Sequence, residues 1–267
     1  GSGFAESLNL TKVIGNRLNY GNSIETNKII KSKEFFVMMQ KQKILHPNWS
    51  FKINKNWLIK YFDSFGGEKV YNSSESTILK RQNRYYQELI VGEHISVQFF
   101  VDKNQMIVLC YCKQHFYDDH KKPFLIKALT TLNLSYKIKK KINIILKKVS
   151  SFYKLNGLNN LDLVIDKNEN IYLIEINARP GLSINIIDRL YASNHFQSKV
   201  KKNNGLGTLI IYSKKKITNN RGVYEFFYEI SKSSNYSELP TKDEVIKKNN
   251  PVCLSHFTFS ENENLEE

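Results

Sequence analysis

Leu161-Asp162-Leu163-Val164-Ile165-Asp166, Lys167-Asn168-Glu169-Asn170 and Ile171-Tyr172-Leu173-Ile174-Glu175-Ile176-Asn177-Ala178-Arg179-Pro180 are the three consecutive pieces of sequence that decide the fold. Two apolar runs flank a polar loop, a pattern that predicts a β-hairpin. A loop over 167–170 pairs Asp166 with Ile171. Counting back in that register sets Asp162 opposite Glu175 and Asn160 opposite Asn177. Alternate residues of a strand share a face, so Leu173, Glu175 and Asn177 point one way, and Arg179 with them if the strand continues. Tyr172, Ile174 and Ile176 point the other way. Two carboxylates directly across a strand pair repel each other. A divalent cation between them reverses that sign, and carboxylate with amide oxygens suits hard Mg²⁺, or Mn²⁺, sharing a polyphosphate. A plain hairpin edge with solvated acids is the other reading of the same residues.

Upstream of the hairpin, Ile138, Ile142, Ile145, Leu146, Val149, Phe152 and Tyr153 recur at spacings that predict a helix from about Ser135 to Leu155. Ser135 suits its start, and Gly157 suits a helix end that needs positive φ. A short helix is expected over about 183–191 and another from about Thr26, with Phe35, Phe36 and Met39 on its apolar face, ending before His46-Pro47. Residues 57–61, 85–90, 94–101 and 105–112 read as strands, and residues 206–258 read as β-rich.

Polyphosphate chemistry needs cations and close backbone approach. Lys60 ends a strand, and Gly66-Gly67 follows it in a loop whose N–H groups can cradle an anion without a Cβ clash. The order differs from a Walker A loop, since Lys precedes the glycines and no Gly-Lys-Ser/Thr follows. Gln87 and Glu88 suit an adenine edge, and Glu93 suits a ribose diol. Each of these, taken alone, is also an ordinary turn or strand-end residue.

Net charge is +15, but 34 of the 40 basic residues are Lys and only six are Arg. Together with abundant Asn and Ile this is the usage of an AT-biased gene, so most of the surplus reads as solvated Lys. That weakens a nucleic-acid or membrane partner. No apolar run approaches the roughly 20 residues that span a bilayer. Cys110, Cys112 and Cys253 are odd in number and make no disulfide framework, which points to a reduced, cytoplasmic protein. Cys110 and Cys112 with His115 and His120 offer a weaker metal-site reading against that of a polar loop.

In this order, Lys33, Lys60, Gly66-Gly67, Gln87-Glu88, Gly92-Glu93, Asp162 and Glu175-Ile176-Asn177-Ala178-Arg179-Pro180-Gly181 resemble the ATP-grasp superfamily, the last run most specifically. Within it the chain is similar to a branch of predicted ATP-dependent carboligases and to tyramine–glutamate ligase. The resemblance implies an α+β ATP-grasp fold, two subdomains clasping ATP. Residues 26–86 would form the small subdomain, 87–205 the large one and 206–267 a β-rich C-terminal extension. Residues 1–25 would be the end of an N-terminal α/β domain and its linker, Gly1-Ser2-Gly3-Phe4 being that domain's last residues, with the rest of it absent from this chain.

The resemblance also implies roles. Lys33 and Lys60 would contact ATP phosphates beneath a Gly66-Gly67 flap. Gln87 and Glu88 would bind adenine, and Glu93 the ribose. Asp162, Glu175 and Asn177 would hold Mg²⁺, and Arg179 would stabilise the transferring phosphoryl. Lys113-Gln114 stands where the branch usually has Arg-Gln, giving Lys113 a catalytic anion-binding role, and Asn160 stands where some ligases carry Arg. The implied function is ligation of small carboxylates to amines through an acyl phosphate, as in cofactor biosynthesis, and it allows a homodimer. An ATP-binding module without turnover is the alternative, and a basic nucleic-acid binder a remote one.

Overall fold

The computed structural model describes residues 21–54, 56–62, 67, 69–73, 83–103, 105–118, 122–191 and 204–260. The segment 1–4, Gly66, His120 and the acidic end lie outside these. Contacts divide the chain into two units, residues 1–125 with 132–184, and residues 126–131 with 185–267.

In the first unit the expected N-terminal helix is two helices, α1 (Ile24–Ile30) and α2 (Glu34–Lys41). The Ser32 hydroxyl donates to Ile29 O and accepts from Glu34 N, and this local competition with helical bonding ends one helix and opens the next. Phe35, Phe36, Met38 and Met39 of α2 are buried. Phe36 stacks on Trp49 with centroids 4.1 Å apart and meets Tyr85 edge-on at 5.2 Å. These rings bear on a small antiparallel sheet of β1 (Trp49–Ser50), β2 (Leu58–Tyr61), β3 (Tyr71–Asn72) and β4 (Arg84–Gln87), in the order β1-β4-β2-β3. Strand β4 stops at Gln87, short of the expected Ile90; one further bond in the same register, from Glu88 N to Asn48 O, closes its pairing with β1.

The larger sheet of this unit runs β6-β5-β8-β9, with β5 (Glu93–Asp102), β6 (Gln105–Phe116), β8 (Gly157–Ile165) and β9 (Ile171–Asn177) all antiparallel. Helix α3 (Tyr136–Tyr153) buries Ile138, Ile142, Leu146, Val149 and Tyr153 in one cluster with Ile95, Val97, Phe99, Leu161 and Leu163. Ser135 caps the helix by accepting from Ile138 N. Its left-handed closing residue is Lys154 (φ 49), while Gly157 (φ 68) opens β8. Phe152 of the expected apolar face is 41% exposed.

The hairpin register differs from a plain count in one respect. Ile165 pairs with Ile171, Asp166 folding into the loop, and Ile174 has no partner, so that Leu163 faces Leu173 while Asp162 faces Glu175. This bulge shifts the alternation by one residue. Leu173 therefore joins Ile171 and Ile176 in the core instead of sharing a face with Glu175.

The second unit holds an antiparallel sheet β12-β14-β10-β7 of β7 (Ile126–Thr131), β10 (Asn204–Tyr212), β12 (Tyr236–Ser237) and β14 (Pro251–Ser260). A pair of two-residue strands, β11 (Ile217–Thr218) and β13 (Val245–Ile246), lies beside it in sequence. Helix α4 (Ile184–Tyr191) falls where expected, but helix α5 (Arg221–Ser231) interrupts the region read as β-rich. Tyr224, Phe226, Phe227 and Tyr228 favour strands by propensity. Asn220 caps the helix, and only Phe227 among them is buried. Among the described residues no helix is long and apolar enough to cross a membrane. All three cysteines are free and buried, and the described residues contain no group of three or more His, Cys, Asp or Glu suited to a metal.

Candidate active site

The pairing of β8 with β9 sets Asp162 directly against Glu175 and Asn160 against Asn177. Three side-chain amides close on Asp162. Gln114 donates to Oδ1 at 2.9 Å, Asn160 to Oδ1 at 3.1 Å and Asn177 to Oδ2 at 3.1 Å. Asn160 is itself held by the Ser96 hydroxyl at 2.8 Å. Burial first, and then the facing Glu175, pushes the Asp162 carboxyl up to about 6, with Asn160, Arg179 and Lys31 working against the rise. For Glu175, burial acts upward, but Lys31, Lys60 and Arg179 together hold it below the usual carboxylate range. Its side chain keeps 31% exposure, so solvent tempers these charges.

Lys31, at the C-terminal end of α1, donates to Glu175 Oε1. Lys60 on β2 is buried, and its ammonium donates to Gln87 Oε1 at 3.1 Å, leaving Gln87 Nε2 buried without a partner among the described residues. Burial lowers the Lys60 pKa; Glu175 opposes that, Lys31 adds to it and Asp162 opposes it. Burial, with Lys60 nearby, pushes His94 down to about 4, so its imidazole is neutral at neutral pH. A small cavity of about 30 Å³ opens among Ile30, Lys31, Lys60, Tyr85, Ile174 and Glu175. Carboxylates and cations thus converge from β8, β9, α1 and β2.

The turn after β9 carries Arg179. Ala178 O accepts from Asn22 Nδ2 at 3.1 Å, and Gly181 N and Ser183 Oγ both donate to Gln98 Oε1 at 3.0 Å. Arg179 donates through Nη1 to Pro180 O and lies near enough to act on both carboxylates.

Other expected site residues lie elsewhere. Lys33 is exposed at the start of α2, while Lys31, two residues earlier, reaches the site. Lys113 pairs with Ile95, whereas Cys112 pairs with Ser96 opposite Asp162. The pleat therefore turns Lys113 to the face away from Asp162, where its ammonium lies 3.6 Å from Glu93. Gln114, not Lys113, is brought to the carboxylates. Glu88 accepts from Asn48 Nδ2 at 2.7 Å. Gly67 has φ +75, and a Cβ there would lie 1.8 Å from Phe124 O, so only glycine fits this approach. Sequence reasoning missed Lys31, His94, Gln98 and Gln114 as site residues. The parity of Gln114 was readable only with the β5–β6 register known.

The donor set fits a hard divalent cation. Asp162 and Glu175 oppose each other with the Asn177 amide alongside, and Asp162 is driven toward its protonated form partly by the facing carboxylate. A cation between them relieves that repulsion.

A family model described as ATP-grasp domain matches residues 22–183. Among solved structures, L-amino acid ligase from Bacillus licheniformis is 13% identical with a TM-score of 0.66, over 94% of this chain and 72% of that one. Biotin carboxylase from Campylobacter jejuni is 14% identical with a TM-score of 0.66, over 96% and 69%. Phosphoribosylglycinamide synthetase from Anaerococcus prevotii is 17% identical with a TM-score of 0.57, over 94% and 74%. No curated protein matches the sequence. At such identities the structural likeness speaks for the fold alone. The family match covers more than half of the chain and spans every element that builds the site, from Asn22 to Ser183. The chain belongs to the ATP-grasp family.

Proposed function

We propose that this protein is an ATP-dependent ligase that joins a small carboxylate to an amine through an acyl phosphate. The observation that supports it most is Asp162 set against Glu175 with Lys31, Lys60 and Arg179 gathered around them. Asp162, Glu175 and Asn177 would hold Mg²⁺, which when bound offsets phosphate charge and orients the polyphosphate. Lys60, buried and tethered by Gln87, presents a fixed positive charge to the phosphates. Arg179 balances charge that builds on the phosphoryl as it passes to the substrate carboxylate. The amine then attacks the acyl carbon and phosphate leaves. The Gly66-Gly67 loop serves to exclude water, which would otherwise hydrolyse the acyl phosphate. Gln87 and backbone beside Glu88 take the adenine edge, while Lys33, Glu93 and Lys113 play supporting electrostatic parts at most. A cytoplasmic, metabolite-directed role fits this chemistry.

The test is ADP release with carboxylates crossed against amines, including glutamate, tyramine-like amines and pterin-linked acids. Glu175→Gln should abolish release while the melting temperature stays within a few degrees, and unchanged turnover would remove this site from the reaction. Nucleotide binding by calorimetry without turnover across the panel would assign an ATP-binding module instead.

A further inference from the structure

Gln98 lies on β5, directly opposite Asn160 and on the same face as Asp162. It is fully buried. One oxygen, Oε1, accepts from both Gly181 N and Ser183 Oγ at 3.0 Å, while Nε2 is buried with no partner among the described residues. Leaving such an amide unpaired carries a desolvation penalty, so this side chain is not optimal for packing alone. Its acceptor is what the turn uses. Gly181 sits flush on Asn160, where an added Cβ would lie 2.9 Å from Asn160 Cγ. On the other side of Arg179, Ala178 O is held by Asn22. The arginine therefore projects from a turn pinned before and after it, one pin being Gln98.

We infer that Gln98 is a positioning residue for Arg179, acting through the Gly181–Ser183 turn; this rests on the ligase reading above. Asn160 and Gln98, neighbours across β5 and β8, divide the work. Asn160 orients the Asp162 carboxylate, and Gln98 fixes the height of the guanidinium over it. Loss of the acceptor lets the turn rise and moves Arg179 away from the transferring phosphoryl without touching the nucleotide.

Gln98→Met keeps length and removes the acceptor. It should lower kcat for ADP release about tenfold, the worth of one to two hydrogen bonds, with KM for ATP within about twofold. In an Arg179→Ala background the same change should cost almost nothing further, because residues that act as a unit are not additive. A multiplicative loss, an equal rise in KM or no loss at all would overturn the inference. Should Gln98→Met fail to fold by thermal melting, Ser183→Ala removes one of the two donors and should show the same pattern at smaller amplitude. If the unaltered protein releases no ADP with any substrate pair, the ligase reading fails, and hydrogen–deuterium exchange still decides this one. Exchange across 178–183 should quicken about tenfold in Gln98→Met while that of Leu161 and Leu163 stays unchanged, and an unaltered 178–183 segment would rule the inference out.

Discussion

Lys31 and Glu175, 144 positions apart in sequence, meet as an ion pair that ties the end of α1 to β9. Both side chains are about 30% exposed, so the pair sits between a surface and a buried one. Although burial acts to raise the Glu175 pKa, the charges led by Lys31 hold it below its unfolded value. Its stabilising contribution is present above the unfolded carboxylate range and is lost as pH falls through the folded value. Lys31→Met should therefore destabilise by about 1–2 kcal/mol near neutral pH. Urea denaturation should show that difference shrinking as the pH is lowered below about 4.

Asp162 carries the opposite sign. Its folded pKa is raised by burial and then by Glu175, so ionising it costs stability, a cost absent at low pH and complete above about 6. Asp162→Asn should raise stability by roughly 1–3 kcal/mol near neutral pH and leave it unchanged at the acid end. The same substitution should abolish magnesium-dependent tightening of nucleotide binding in calorimetry. A neutral-pH melting temperature below that of the unaltered protein would contradict the assigned electrostatics.

In the second unit, Phe257 and Phe259 lie over the glycines opposite them on β10. A Cβ at Gly207 would fall 2.2 Å from the Phe257 ring, and one at Gly205 equally close to Phe259. Gly207→Ala should cost about 1–3 kcal/mol through overpacking. Adding Phe257→Leu should recover part of that loss, and a double-mutant cycle in guanidinium measures the coupling.

Lys154 closes α3 at φ 49, a conformation that costs a side chain energy and suits glycine. Lys154→Gly should stabilise by up to about 1 kcal/mol, read as a rise in thermal midpoint. Ser135→Ala at the other end should lower it by a similar amount.

The carboxylate pair was legible because a hairpin count needs only local residues and a period of two. The count reached the right partners although it began one position out, because the unpaired Ile174 restores the offset. Nothing in the sequence marks that residue as a bulge, so a plain period of two puts Leu173 on the wrong face. Lys31 and Lys33 are indistinguishable by type, and only the Ser32 break between α1 and α2 decides which one reaches Glu175. The choice between Lys113 and Gln114 depends on pairing with β5, a long-range register that no local pattern encodes. Helix α5 was hidden because its exposed Phe226 and Tyr228 blur the helical period. Strand Ile126–Thr131 belongs to the second unit although no composition shift sets it apart.

The unpaired Ile174 makes β9 a strand with two phases. From Ile171 to Leu173 the odd-numbered residues feed the core, and from Glu175 onward they face Asp162 and Asn160. The phase change falls between the loop and the carboxylate, at the one residue of β9 that the pairing with β8 passes over. Deleting Ile174 would leave Leu173 facing Leu163 and Glu175 facing Asp162 in an unbroken alternation, so both faces would keep their residues and only the local kink would be lost. The extra residue therefore sets the local bend and twist of β9 beside Glu175, while plain alternation divides the strand between the core and the face that carries Asp162.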